Sequence, residues 1–201
     1  QDSEVVMGIA KEMKDADIGF GIIARHGMGK LPIILSEADP EGCAACSMKV
    51  NPANAYRNGT LYPSYTAAAY KGLFELADKH QVNLISMLSW SFEFEGKDYF
   101  EGFRSLSTNG VDKPVMNFFR MAALMKGNRV ATSSSGEVKL DDIMAGGVRG
   151  PEDVDALATT DARQVAVMLW NYHDAEKAGD TKQASVTVRG LPKGVSRVRL
   201  T

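Results

Sequence analysis

Residues 31–40 read Leu-Pro-Ile-Ile-Leu-Ser-Glu-Ala-Asp-Pro, a short apolar run that is followed at once by acidic residues. A continuous apolar run of this length, bounded by turn residues, is typical of a strand buried on both faces of a parallel sheet. A second such run, residues 83–90, follows a helical pattern over residues 64–80. Strand, helix and strand in this order predict a βαβ unit with two parallel, neighbouring strands.

Helical spacing of apolar residues also predicts a helix within residues 3–25 and another over residues 114–126. Beyond residue 127 the pattern changes to short β-prone stretches separated by Gly, Pro, Asp and Ser turns. These stretches are residues 129–131, 138–140, 164–172, 184–188 and 195–200. Antiparallel pairing of residues 165–172 with 185–189 would build a β-sandwich. We therefore expect an α/β domain over residues 1–127 and a sandwich domain, not necessarily complete, over residues 128–201.

The amino-acid composition argues against nucleic acid and membranes as partners of this chain. The 201 residues are 44% hydrophobic and 24% charged, which is typical of a soluble globular protein. Lys and Arg number 23 and Asp and Glu number 25, so the formal charge is −2 and no broad basic surface is expected to bind nucleic acid. The chain contains no apolar run of about 18 residues, so we expect no membrane span.

The two cysteines, Cys43 and Cys46, are too few for a structural zinc site, which takes four nitrogen or sulfur ligands. His26, His80 and His173 do not stand at ligand spacing to them, so no metal is expected. A local disulfide or two inert thiols are the favoured interpretations. A thiol redox module is the weaker alternative, because the flanking residues indicate a loop rather than the start of a helix.

Two residues at the predicted strand ends are candidates for an active site. Glu37 directly follows the first strand and Trp90 ends the second. In a parallel α/β barrel the active site lies at the C-terminal ends of the strands, and a carboxylate beside an aromatic ring is typical of a sugar site. The alternatives are that Glu37 caps a helix or pairs with a basic residue, and that Trp90 is a core residue.

Several stretches, in order along the chain, resemble glycoside hydrolase family 39, which contains β-xylosidases and α-L-iduronidases. Residues 31–40 resemble the segment around the family's catalytic nucleophile, and Ser-Trp-Ser-Phe at 89–92 resembles the end of the last barrel strand. Residues 100–103 and 110–114 are similar to the loop that follows and to the start of the final helix. Residues 165–172 with 185–192 are similar to strands of the accessory β-sandwich.

The resemblance implies the C-terminal part of a (β/α)8 TIM barrel followed by an all-β sandwich, and a retaining exo-glycosidase acting on xylosides or related uronides and arabinosides. Glu37 would be the nucleophile, and Trp90 would form part of the sugar platform. The residues expected to contact the substrate are Glu93, Glu95, Asp98, Arg57 and Tyr62, although for Arg57 a solvent-exposed loop arginine is the favoured interpretation. Two-carboxylate hydrolysis needs no cofactor. A role in polysaccharide degradation would imply secretion or a periplasmic location.

One feature of the family is missing. Its general acid/base lies in an Asn-Glu pair upstream of the nucleophile, and this chain contains no Asn-Glu. A complete barrel also takes about 250 residues. We therefore expect the rest of the barrel, including the acid/base residue, to be the partner of this chain. The alternative is a non-catalytic carbohydrate-binding or scaffold protein derived from such a barrel.

Overall fold

The computed structural model describes residues 7–176, 181–191, 194, 197 and 199–201. Within these residues the chain forms helices and three small sheets. The elements, in chain order, are α1 (Ile9–Arg25), β1 (Pro32–Leu35), a 3₁₀ helix (Pro52–Asn58), α2 (Leu61–His80), β2 (Asn83–Met87), β3 (Ser107–Thr108), β4 (Val111–Asp112), α3 (Pro114–Leu124), β5 (Asn128–Val130), α4 (Leu140–Gly146), β6 (Asp153–Thr160) and β7 (Val165–Tyr172).

The predicted βαβ unit is confirmed, but the prediction that its strands are buried on both faces is wrong, because Ile34 of β1 and Ile85 of β2 are more than half exposed. Strands β1 and β2 pair in parallel, with α2 between them in the chain, and Leu35 stands opposite Met87. The two segments remain together beyond the strands, because the backbone N–H of Ala38 donates to the Leu88 carbonyl over 2.8 Å. The residues that follow β1 and β2 therefore lie side by side at one edge of the sheet.

The other predicted helices are confirmed as well. Helix α1 covers the later part of the range 3–25, and residues 3–6 lie outside the described residues. Helix α3 ends at Leu124, two residues before the predicted end.

Helix α2 is the centre of the core, and α1, α3 and β7 pack against it. Its buried face consists of small and apolar side chains, which let the neighbouring elements approach closely. Helices α1 and α2 approach each other closely around Gly72, where a Cβ would lie only 2.6 Å from the Met13 sulfur of α1. The buried hydrophobic residues of α2 are Tyr62, Tyr65, Ala67, Ala68, Ala69, Tyr70, Leu73, Leu76 and Ala77.

The second part of the chain forms an antiparallel sheet in the order β5-β6-β7, and it packs on α2 within the same core. The prediction that residues 165–172 pair with 185–189 is wrong, because β7 pairs with β6 and no strand occurs within the described residues 181–191. Residues 138–140 form no strand either, since α4 begins at Leu140. The last predicted strand, 195–200, falls partly outside the described residues.

Strand β6 was not predicted, because acidic residues interrupt its apolar pattern. Asp153 and Asp155 are both buried. The Trp170 indole N–H donates to Asp153 over 2.8 Å, and Lys71 of α2 forms an ion pair with Asp155. These partners satisfy the two carboxylates inside the core and attach the sheet to α2.

The full barrel, the β-sandwich and the division into two domains stay predictions. Strand β5 begins at Asn128, which is where the predicted second domain begins. In the described part of the chain, no helix combines the length and the apolar character that crossing a membrane requires.

Glu12 of α1 is expected to make stability depend on pH. It accepts a hydrogen bond from the Tyr65 hydroxyl of α2, and burial raises its pKa from 4.5 to about 7. Between these two pH values the folded protein binds more protons than the unfolded chain, so stability falls as pH rises, by up to about 3 kcal/mol. Glu12→Gln should therefore be the more stable protein at pH 8, by urea denaturation, and should lose part of the pH slope.

Asp15→Asn is the control for this experiment. Asp15 lies one turn further along α1, is well exposed, and pairs with Lys11 on the surface. This variant should keep the slope of the wild type. Equal slopes in wild type and Glu12→Gln would contradict the assignment.

Candidate functional site

Arg104 joins the ends of β1 and β2. Its Nη2 donates to Glu37 Oε2 over 2.7 Å, and its Nε donates to the Trp90 carbonyl over 3.0 Å. The arginine side chain is 1% exposed, whereas that of Glu37 is 55% exposed. The structure thus brings together the two residues predicted for the strand ends, with a buried guanidinium behind them.

Two further carboxylates converge on the same guanidinium. Asp39 Oδ2 lies 3.4 Å from Arg104 Nη2, and Glu41 Oε1 lies 3.6 Å from Nη1. Glu37, Asp39 and Glu41 are alternate residues of the segment after β1. One arginine therefore gathers three carboxylates from five consecutive positions.

Asp39 fixes the end of β2. Its carboxylate is buried and accepts hydrogen bonds from the Ser89 hydroxyl (2.6 Å), the Tyr62 hydroxyl (2.8 Å) and the Trp90 backbone N–H (3.2 Å). Tyr62, predicted to contact substrate, is itself buried behind this carboxylate at the start of α2. Burial raises the pKa of Tyr62, so its hydroxyl stays protonated as a donor.

Arg57 is also buried, so the favoured interpretation of a solvent-exposed loop arginine is wrong. Its Nη1 donates to the carbonyls of Cys46 (2.7 Å) and Gly102 (3.1 Å). Its Nη2 donates to Glu41 Oε1 (2.6 Å) and to the Cys43 carbonyl (2.9 Å). These contacts hold two loops together, and its predicted role in contacting substrate stays a prediction.

Trp90 presents an aromatic surface beyond the end of β2, and its backbone carbonyl and Glu37 are both bound by Arg104. Its side chain is about half exposed, and its ring packs edge-on against Phe94 with 5.7 Å between the ring centres. Phe94 in turn contacts Phe103 at 5.0 Å. The peptide bond between Trp90 and Ser91 is cis. An exposed, supported ring of this kind suits stacking against the apolar face of a sugar.

The three acids predicted in the following loop lie apart from Glu37. The Glu93 carboxylate accepts hydrogen bonds from the Ser107 hydroxyl and from the Gly110 N–H (3.1 Å), and these bonds lower its pKa. Glu95 and Asp98 are exposed, and Asp98 pairs with Lys49 at 3.2 Å. Within the described residues, no polar contact links any of the three to Glu37.

Lys113 binds the backbone of Phe103, the residue before Arg104. It is buried at the start of α3, and its Nζ donates to the Phe103 carbonyl over 2.6 Å. Burial and, to a smaller extent, the positive charge of Arg57 lower its pKa to about 8.

Cys43 and Cys46 form a disulfide, one of the two favoured interpretations. In the part of the chain that the structure covers, no three or more His, Cys, Asp or Glu side chains are arranged to hold a metal ion.

Sequence reasoning missed four residues that build this site: Arg104, Asp39, Glu41 and Ser89. The acids at positions 37, 39 and 41 show in the sequence that carboxylates gather after β1, but they do not identify the basic partner. Arg104 itself carries no signal, since it is a single arginine in a loop 67 positions from Glu37.

No protein family, curated protein or solved structure matches this chain.

Substitution of Gly102 by alanine tests how tightly the loops behind the site are packed. Its φ is +81°, its carbonyl binds Arg57, and a Cβ there would lie 2.3 Å from Met48 Cγ and 3.1 Å from the Asn54 carbonyl oxygen. Gly96 has a similar φ of +66° with nothing within 4 Å of a Cβ. Both alanine variants should lose about 1 kcal/mol to backbone strain, and Gly102→Ala should lose about 2 kcal/mol more through overpacking, by chemical denaturation. Equal losses would show that the space around Gly102 is not limiting.

Proposed function

We propose that this chain is the C-terminal portion of a retaining exo-glycoside hydrolase, acting on xylosides or related uronides and arabinosides. The observation that carries the proposal is the Glu37 carboxylate, which is partly exposed and fixed by buried Arg104, an arginine that also binds the backbone carbonyl of exposed Trp90. The motifs shared with glycoside hydrolase family 39 favour the same function.

Glu37 has the properties of a glycosidase nucleophile. Arg104 holds Oε2, which leaves Oε1 to attack the anomeric carbon. In the first step the bond from Oε1 to that carbon forms while the bond to the leaving oxygen breaks, and the leaving oxygen takes a proton from a general acid. Water then hydrolyses the covalent intermediate, and the same acid residue, now acting as a base, removes a proton from the water.

The charge around Glu37 also suits this chemistry. Three carboxylates, those of Glu37, Asp39 and Glu41, lie together with the guanidinium groups of Arg57 and Arg104, and the Glu37 carboxylate is the most exposed of the three. The transition state of glycoside hydrolysis resembles an oxocarbenium ion, so developing positive charge on the sugar would be stabilised there.

The general acid is proposed to come from the rest of the barrel. Retaining hydrolysis takes two carboxyl groups about 5 Å apart. Asp39 is occupied as an acceptor by three donors, and Glu41 is bound by Arg57. Neither is free to protonate a leaving group in this arrangement.

The same observation favours a second candidate, a non-catalytic carbohydrate-binding protein. Trp90 would still stack on a sugar, and Glu37 would accept hydrogen bonds from its hydroxyl groups. This candidate predicts sugar binding without turnover and without a covalent adduct.

Replacing the nucleophile separates the two candidates. Glu37→Ala in the complete protein should lower kcat on aryl glycosides by roughly 10⁴-fold or more, because no covalent intermediate can form. Azide, which fits the space left by the carboxylate, should restore part of the activity and give a glycosyl azide of opposite anomeric configuration. The products are identified by NMR spectroscopy.

Glu75→Gln is the matched control, since Glu75 lies on α2 beside Lys71 and takes no part in the site. It should retain wild-type activity. Intact-mass analysis with 2-fluoro glycosyl fluorides should show one sugar on Glu37 of the wild type. Unchanged turnover in Glu37→Ala would overturn the proposal, and sugar binding with neither turnover nor adduct would favour the binding protein.

A further inference from the structure

The Cys43–Cys46 disulfide closes a short turn that lies against both buried arginines. The carbonyls of Cys43 and Cys46 accept hydrogen bonds from Arg57 over 2.9 and 2.7 Å. The carbonyl of Ala44 accepts one from the backbone N–H of Arg104 over 3.0 Å. Three of the four carbonyls in the turn therefore bind these two arginines.

A continuous set of contacts leads from the turn to Glu37. Arg57 Nη2 donates to Glu41 Oε1 over 2.6 Å, and Arg104 Nη1 lies 3.6 Å from the same oxygen. Arg104 then holds the Glu37 carboxylate. A displacement of the turn therefore reaches Glu37 by two routes, through the Ala44 carbonyl and through Arg57 with Glu41.

The disulfide is accessible, whereas the arginines are not. Cys43 is exposed and Cys46 is partly exposed, but Arg57 and Arg104 are each 1% exposed. A reductant can thus reach the sulfur atoms. A buried guanidinium that loses a carbonyl acceptor has no water to replace it, so it must move or remain unsatisfied.

We propose that the Cys43–Cys46 disulfide is a positioning element for Glu37, and that its reduction switches the site to a low-activity state. The effect on activity rests on the glycosidase function proposed above, whereas the effect on the two arginines does not.

The reductant for this switch is a dithiol. One of its thiolates attacks the exposed Cys43 sulfur, the bond between the cysteines breaks, and its electron pair stays on the Cys46 sulfur, which takes a proton. The second thiolate of the reagent then attacks the mixed disulfide and releases Cys43 as a thiol. The reagent becomes a cyclic disulfide, having given two electrons and two protons to the protein.

Hydrogen exchange of the arginine side chains tests the positioning role directly. In NMR spectra of ¹⁵N-labelled protein, dithiothreitol should speed exchange of the Arg57 and Arg104 Nε–H groups by about tenfold or more, because their buried contacts loosen. Arg129, which is partly exposed and pairs with Asp78, is the internal control and should not change. A Cys43→Ser/Cys46→Ser double variant should exchange fast with or without the reagent. Unchanged exchange in fully reduced protein would overturn the proposal.

Steady-state kinetics test the switch. Reduction should lower kcat by roughly tenfold to hundredfold and change KM less, since a misplaced nucleophile affects bond formation more than binding. Reoxidation should restore kcat, and the double variant should have a low kcat that dithiothreitol does not alter. Full activity after reduction would overturn the switch. If the protein hydrolyses no glycoside in either state, the proposed function fails, and the exchange measurement still decides the positioning role.

Discussion

The candidate site depends on the hydrogen bonds and ion pairs of the buried Arg104 guanidinium group. Strands β1 and β2 share four paired positions, and beyond them Arg104 binds Glu37 on one side and the Trp90 carbonyl on the other, in addition to the hydrogen bonds made by Ala38 and Asp39. Removing an arginine from water costs several kcal/mol unless charges and carbonyls surround it. The three acids after β1 meet that requirement. The strand ends are therefore fixed because a buried charge must be satisfied.

The same requirement shapes the loops. The backbone N–H of Arg104 donates to Ala44 in the loop after β1, and its carbonyl accepts from Ser91 just after β2. Arg57 connects the same two loops through Cys43, Cys46 and Gly102. Long loops normally lie on the surface and are mobile. Here two buried arginines bind the backbone of both loops, and a disulfide closes the turn that supplies several of their acceptors.

Sequence patterns predicted the elements that have a local period. The apolar runs of β1 and β2 and the helical spacing of α2 were sufficient for the parallel βαβ unit. Strand β6 was not predicted, because Asp153 and Asp155 are buried with partners that only the folded chain brings to them. The position of Glu37 followed from its strand, but its partner Arg104 did not. Pairing between distant loops depends on the completed fold, and no periodic pattern in the sequence encodes it.

Glu37 differs from the other acids predicted for the site in how it is held. The Glu93 carboxylate is bound within its own loop by Ser107 and Gly110, and Asp98 pairs with an exposed lysine. Glu37 has one oxygen fixed by Arg104, which is almost fully buried, while more than half of its side chain remains open. A nucleophile needs both properties, since it must be oriented before the reaction and must still reach the substrate. Glu37 does pair with a basic residue, as the structural alternative expected, and the proposal that it is the nucleophile rests on the open face that this ion pair leaves.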